Sequence, residues 1–279
     1  MNIIHTMSSP TQPMKSYLTI KKNLANRFRR LPHAPVIVLG NQKSGTTAIA
    51  CLLGKACQQV TTIDPFFRID NSIELRRQLF ARETSFDKII NQYKSYFHGQ
   101  IIKDPNFSFF YPDLKKAFPE SKFIFILRDP RDNIRSILNR LKLPGNMKHL
   151  DPTLLLSFQN TGWQYVIEGR LPDMEGETYI EKLAHRWNCV TNQFLKHREN
   201  LTLIRYEDFV HDKVSSITQL AKQVELLPQQ DISQEVNVQF QPRGNPNIKW
   251  IDFFGYDNLK LIELICAEQM IRFNYMPTI

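Results

Sequence analysis

The residues best able to do chemistry lie together in Gly40-Asn41-Gln42-Lys43-Ser44-Gly45-Thr46-Thr47. Two glycines bracket a lysine, and two hydroxyls follow. A loop of this kind can wrap a phosphate with backbone N–H groups and the N-terminus of the next helix. The glycine separation is that of the nucleotide-binding pattern G-x-x-x-x-G-K-[ST]. Here Thr46 stands at the usual lysine position, and the lysine is Lys43, inside the loop. It should approach a ligand from the loop rather than from the helix. A Gly-Thr turn that only caps a helix is the structural alternative.

A second chemical position follows the apolar run Phe123-Ile124-Phe125-Ile126-Leu127. A nucleotide triphosphatase places an acid at such a strand tip to help hold Mg²⁺. This chain places Arg128 there, ahead of Asp129. Arginine is a poor neighbour for a metal ion and a good partner for a phosphate, through charge-assisted, bidentate hydrogen bonds. The two segments together point to a phosphate site that uses cations and no metal.

These positions require a frame of strands and helices. Val36 to Leu39, Gln100 to Lys103, Lys122 to Leu127 and Leu201 to Arg205 read as short buried strands. Helices are expected over Thr46–Cys57, Phe110–Phe118, Arg131–Leu141, Asp151–Ile167, Tyr179–His197, Val214–Val224 and Leu259–Phe273. A further helical region, Ser72–Phe97, should break near Thr84 and Ser85. Asp129 suits an N-cap and Pro130 the first helical position. Alternating strands and helices predict an α/β fold, a three-layer sandwich with a central parallel sheet. Ligands bind beyond the carboxyl ends of such strands. Lys43, Lys103, Arg128 and Arg205 all fall near those ends.

Composition narrows the classes. Of 279 residues, 42% are hydrophobic, enough for a sizeable core, and the net charge of +9 favours an anionic ligand or surface. No run reaches the ~18 apolar residues of a membrane span. Met1 to Pro13 lacks the apolar stretch of a secretory signal, so a cytoplasmic location is expected. Cys51, Cys57, Cys189 and Cys266 form no C-x-x-C pair and read as reduced structural cysteines. Neither zinc-finger spacing nor an aromatic RNA-binding signature is present, so nucleic acid is not an expected partner. Residues 1–34 stand apart as an extension, and 35–279 read as one domain. Within the extension, Ile20, Leu24, Phe28 and Leu31 share a helical face amid basic residues. Such a helix packs on its own domain or touches an anionic membrane.

The ordered set of segments resembles the sulfotransferases that use 3′-phosphoadenosine 5′-phosphosulfate (PAPS). Gln42-Lys43-Ser44-Gly45-Thr46-Thr47 is similar to that family's 5′-phosphosulfate loop. Arg128 and Ser136, eight apart, resemble its 3′-phosphate segment. Arg205-Tyr206-Glu207-Asp208 resembles a strand end whose tyrosine lies near the adenine. Gln241-Pro242-Arg243-Gly244, with Trp250 following, resembles a late segment that returns to the 3′-phosphate. The resemblance runs from residue 36 to 250. It implies a P-loop NTPase-like fold, PAPS as donor, 3′-phosphoadenosine 5′-phosphate (PAP) as product, and no metal. It also implies transfer of the sulfuryl group to a hydroxyl or nitrogen of a small-molecule acceptor.

Residue by residue, the resemblance gives Lys43 the sulfuryl and leaving oxygens. It gives Gln42, Ser44, Gly45, Thr46 and Thr47 the 5′-phosphate. Arg128, Ser136, Arg243 and Gly244 receive the 3′-phosphate, and Tyr206 the adenine. The chain departs from the family in three places. Ala48 replaces an adenine-stacking tryptophan, Pro242 replaces a basic residue, and Lys103-Asp104-Pro105 replaces Lys-Thr-His. Lys103 matches and is expected in catalysis, but Pro105 stands at the position of the basic histidine. Asp104, the nearest acid, is the expected general base; a turn or N-cap role is its alternative. Asp64, Glu74 and His98 lie where an acceptor could bind, and Phe66, Phe67, Trp163, Trp187 and Arg186 could line a pocket or the core. The chain looks most like bacterial cytosolic members acting on natural products or lipids, with a guanidinium alkaloid of the saxitoxin type as one specific acceptor. Such an acceptor requires acidic residues in its pocket. A P-loop small-molecule kinase and a non-catalytic nucleotide-binding protein stay open, as does a homodimer.

Overall fold

The computed structural model describes residues 30–170, 174, 176–238, 240 and 248–279. The expected basic helix through Ile20, Leu24 and Phe28 lies outside them, as do Arg243 and Gly244.

The run Val-Ile-Val-Leu-Gly at Val36–Gly40 is buried throughout. A strand apolar on both sides belongs in the middle of a sheet covered on both faces. It forms β1. With β2 (Thr61–Ile63), β3 (Ile101–Lys103), β4 (Lys122–Leu127) and β5 (Leu201–Arg205) it makes a parallel sheet of order β2-β3-β1-β4-β5. The register pairs Gly40 with Ile126 and Leu127 with Arg205, so the strand tips end nearly level.

Side chains alternate across the strands. Val36, Val38, Ile124 and Ile126 face one layer, which contains helices α1 (Thr46–Ala56) and α4 (Lys213–Gln223). Ile37, Leu39, Phe123, Phe125 and Leu127 face the other, with α2 (Pro130–Leu141), α3 (Tyr179–His197) and α5 (Trp250–Arg272, kinked at Gly255). The three-layer parallel architecture expected from the sequence is the one observed. Helix α2 is representative: Ile134, Ile137, Leu138 and Leu141 recur at helical spacing and are buried. Each such side chain contributes about 1.5–3 kcal/mol. Asp129 caps it by accepting from Arg131 N at 2.9 Å, and Pro130 opens it, as the sequence suggests.

Several boundaries differ. Strand β2 was not expected; it has only three residues at the sheet edge and no periodicity to read. The region 72–97 divides into Glu74–Phe80, Phe86–Gln92 and a short 3₁₀ turn. Residues 151–167 divide into Pro152–Leu155, a 3₁₀ turn and Gly162–Glu168. Helix α5 starts nine residues before the expected Leu259, because Gly255 (φ 69°) kinks it where the periodicity breaks.

Candidate active site

The loop after β1 owes its shape to its two glycines and the residues behind them. Gly40 has φ 139°, and a Cβ there would lie 2.7 Å from the Ile126 carbonyl oxygen. Ser108 Oγ fastens Gly40 from both sides, accepting from its N–H at 2.8 Å and donating to its carbonyl at 3.2 Å. Lys43 and Gly45 both adopt left-handed backbone, at φ 66° and 88°. For a lysine this is uncommon and marks a local constraint. Successive left- and right-handed residues turn N–H groups toward one side and form an anion-binding concavity.

A buried polar network holds that shape. Asn133 on α2 donates to Gln42 O at 2.8 Å and to Ser44 Oγ at 2.9 Å, and accepts from Asn41 Nδ2 at 2.9 Å. Arg186 on α3, only 1% exposed, donates to Asn41 Oδ1 at 3.2 Å and twice to Gln42 Oε1, at 3.1 and 2.6 Å. Its guanidinium lies over the Phe109 ring at 4.8 Å. Burial depresses its pKa to about 9. The next residue, Trp187, donates to Arg128 O at 2.9 Å. One helix thus braces the loop and the β4 tip together.

The strand tips frame a cavity of about 680 Å³. Gln42, Lys43, Gly45, Thr46, Thr47, Lys103, Arg128, Ser136 and Tyr206 line it, so most residues expected at the site are brought together. Arg128 Nη1 donates to Lys43 O at 2.7 Å, and its guanidinium stacks over Tyr206 at 4.4 Å. Arg128 Nε is buried without a hydrogen-bond partner. The Tyr206 ring closes on Gly45, where a Cβ would lie 2.4 Å from Tyr206 Cδ2. Lys43 is held at a pKa of about 8, by burial first and then by the charges of Arg140, Arg128 and Lys103.

Two expected residues are turned elsewhere. Ser44 is 1% exposed, with its hydroxyl taken by Asn133, and it shapes the loop without lining the cavity. Asp104 is also 1% exposed and outside the lining. One of its oxygens accepts from Phe66 N at 3.0 Å. The other accepts from Asn106 N at 2.9 Å and Asn106 Nδ2 at 2.8 Å. It caps the 3₁₀ turn Pro105–Phe110, the alternative to the role of base. Burial, followed by the charge of Asp64, pushes its pKa up.

The carboxylate that faces the cavity from this edge is Asp64, at the end of β2 with φ 51°. Lys103 Nζ, almost wholly buried, donates to Asp64 Oδ1 at 2.8 Å. Trp163 lines the same cavity. Of the other residues weighed from the sequence, Phe66 and Trp187 are core. Phe67 is exposed, Glu74 is paired with Arg77 at the surface, and exposed His98 bonds Ser95 O.

Sequence reasoning missed Asn133, one turn into α2, and Arg140, one turn beyond Ser136 on the same face. It also missed an apolar wall of Ala48, Leu52, Phe209, Val210, Val236 and Val238. The small Ala48 was the available signal for that wall, since its partner surface must come from elsewhere.

The profile of the Sulfotransferase family matches residues 66–227, more than half of the chain. Two solved structures share the fold. A sulfotransferase from Mycobacterium avium superposes with TM-score 0.56 at 14% identity, over 93% of this chain and 81% of that one. A sulfotransferase from Mycobacterium tuberculosis gives 0.51 at 13%, over 91% and 81%. No curated protein matches the sequence. Among the described residues, no helix is long and apolar enough to cross a membrane.

Proposed function

The chain belongs to the sulfotransferase family, and we propose that it moves the sulfuryl group of PAPS to a hydroxyl or amine of a small-molecule acceptor. The observation that carries this reading is the pairing of a left-handed Lys43 inside the loop with Arg128 at the β4 tip. Arg128 Nε, buried and unsatisfied, suits an incoming phosphate oxygen, since an orphaned buried donor is costly. Gly45 lets the Tyr206 ring close on the loop, where a Cβ would collide with it. An arginine at the strand tip also argues for phosphate binding without a metal.

In this reading Lys43 and the loop N–H groups meet the phosphosulfate end. Arg128 and Ser136 hold the 3′-phosphate. The apolar wall of Leu52, Phe209 and Val236 takes the adenine, with Tyr206 fixing Arg128 and the loop. Arg243 and Gly244 stay proposed partners of the 3′-phosphate. The acceptor oxygen or nitrogen forms the new bond to sulfur as the bond from sulfur to the phosphate oxygen breaks. The electron pair leaves with PAP, and the acceptor proton goes to a base. Lys43 stabilises charge on the departing oxygen, a donor worth on the order of 10²–10³ in rate. Asp64 is the better candidate base: it faces the cavity, and Lys103 orients it. Asp104 keeps its three donors and acts by holding the β3 tip.

The test is thermal stabilisation by PAP against ATP with Mg²⁺, followed by PAP release from PAPS over a panel of acceptors. PAP should stabilise, with or without a chelator, and Lys43→Ala should lose turnover. Equal stabilisation by ATP with Mg²⁺ would favour a P-loop kinase. PAP binding with no release on any acceptor would favour a non-catalytic protein.

A further inference from the structure

One cation of the cavity is assigned no contact with the donor in the reading above. Arg140 lies in the last turn of α2 and lines the cavity with Asn139 and Lys43. Its guanidinium has neither a hydrogen-bond nor an ion-pair partner among the described residues. The other cavity arginines are engaged: Arg128 on Lys43 O and the Tyr206 ring, Arg135 on Asp132 at 2.7 Å and on Ile248 O at 2.5 Å. Arg140 is one helical turn beyond Ser136 on the same face, about 6 Å farther along α2. Among the charged neighbours of Lys43 it exerts the strongest repulsion, ahead of Arg128 and Lys103. Arg140 thus faces the same cavity as Lys43, the lysine that would meet the sulfuryl group.

Arg140 is exposed, so water solvates its guanidinium in the free protein and leaves it available to an anion that enters the cavity. Asp64, a carboxylate of the same cavity, is paired with Lys103 and makes no ion pair with Arg140. A guanidinium fork matches a carboxylate in plane and spacing. Trp163 supplies an aromatic surface in the same cavity. Building on the donor reading above, we propose that the acceptor carries a carboxylate besides the group it presents for sulfation, and that Arg140 binds that carboxylate. This disfavours a cationic alkaloid, for which the cavity would need an acid not already paired.

The test begins with PAP stabilisation of the wild type and Arg140→Gln. At pH 7, where Lys43 is mostly charged in both, the shift should be equal. Then kcat/KM is measured over matched acceptor pairs differing in one carboxylate, beginning with 4-hydroxyphenylacetate and 2-(4-hydroxyphenyl)ethanol, and extending to aliphatic hydroxy acids and their diols. The acid should be preferred by roughly tenfold, as expected for a partly solvated charge pair. In Arg140→Gln the preference should vanish, and in Arg140→Glu it should pass to tyramine. That reversal cannot come from damage to the fold. Equal use of both members, absence of any acid that binds or turns over, or a preference that survives in Arg140→Gln overturns the proposal. A smaller PAP shift in Arg140→Gln assigns the residue to the donor and overturns it too. No PAP shift in the wild type sinks the donor reading first, before any acceptor is added.

Discussion

Lys43 should make donor binding fall with pH in a window where few lysines titrate. Its pKa is lowered from 10.5 to about 8, chiefly by burial and then by Arg140, Arg128 and Lys103. With that value, about nine-tenths of the free protein carries a charged Lys43 at pH 7 and about one-tenth at pH 9. If the phosphate end binds only the charged form, PAP affinity drops about tenfold over those two units, or ~1.4 kcal/mol. The bound anion favours the charged form, so binding at pH 9 should take up close to one proton. Isothermal calorimetry in two buffers of different ionisation heat measures both quantities. Lys43→Met should bind weakly, with the slope gone. Arg140→Gln should move the midpoint upward by relieving repulsion. Stability of the free protein runs the other way. Between pH 8 and 10.5 the unfolded chain holds this proton and the folded chain does not, so Lys43 makes stability rise with pH there. The wild-type minus Lys43→Met difference in thermal midpoint isolates that slope. A wild-type PAP affinity flat from pH 7 to 9.5, or a slope that persists in Lys43→Met, would refute the reasoning.

The two acids of the site should separate cleanly. Asp64→Asn should lower kcat by ~10²–10⁴ while keeping PAP stabilisation. Asp104→Ala should instead lower stability by about 1–3 kcal/mol in urea unfolding, because it strands buried N–H donors of Phe66 and Asn106. Gly45→Ala should abolish the PAP shift, since its Cβ would meet the Tyr206 ring at 2.4 Å in left-handed backbone. Behind the site, Glu263 accepts from Arg131 at 2.7 Å and from Thr278 N and Oγ1, and hydrogen bonds to Thr278 and Arg131 hold its pKa below the usual range despite burial. Glu263→Leu should cost about 3–5 kcal/mol by leaving Arg131 short of a partner. In the wild type this carboxylate stabilises above its unfolded pKa, and the contribution fades as pH falls through the lower folded value. An acid-unfolding profile that Glu263→Leu leaves unchanged would remove Glu263 from that role.

What could be read from the sequence, and what could not, divides along a physical line. The sheet was legible because β1 and β4 are continuous apolar runs, and a run buried on both sides has few other places to go. The cations were legible because glycine spacing and strand tips fix where Lys43 and Arg128 project. β2 was not legible, since Thr61-Thr62-Ile63 gains its strand character only from pairing with β3. Its loss to sequence reasoning carried a functional consequence. Without a strand before it, Asp64 looked like any surface acid, and Asp104 drew the role of base because it stood next to a recognised lysine. Asp-Pro ahead of a 3₁₀ turn is also a capping signal, and the cap is what its hydrogen bonds describe. The network behind the loop was hidden for a related reason. Asn133 and Arg186 reach Asn41 and Gln42 across 92 and 144 positions of chain, and no local pattern records such contacts. Arg186 reveals itself only by burial: a guanidinium 1% exposed, held by amide oxygens and an aromatic face. Its position explains why the loop can hold a left-handed lysine at all. The strain at Lys43 is offset by a helix that fixes the two residues before it and, through Trp187, the strand tip opposite. In the proposed reading, donor binding is written locally in the loop, whereas the loop's rigidity is supplied by α2 and α3.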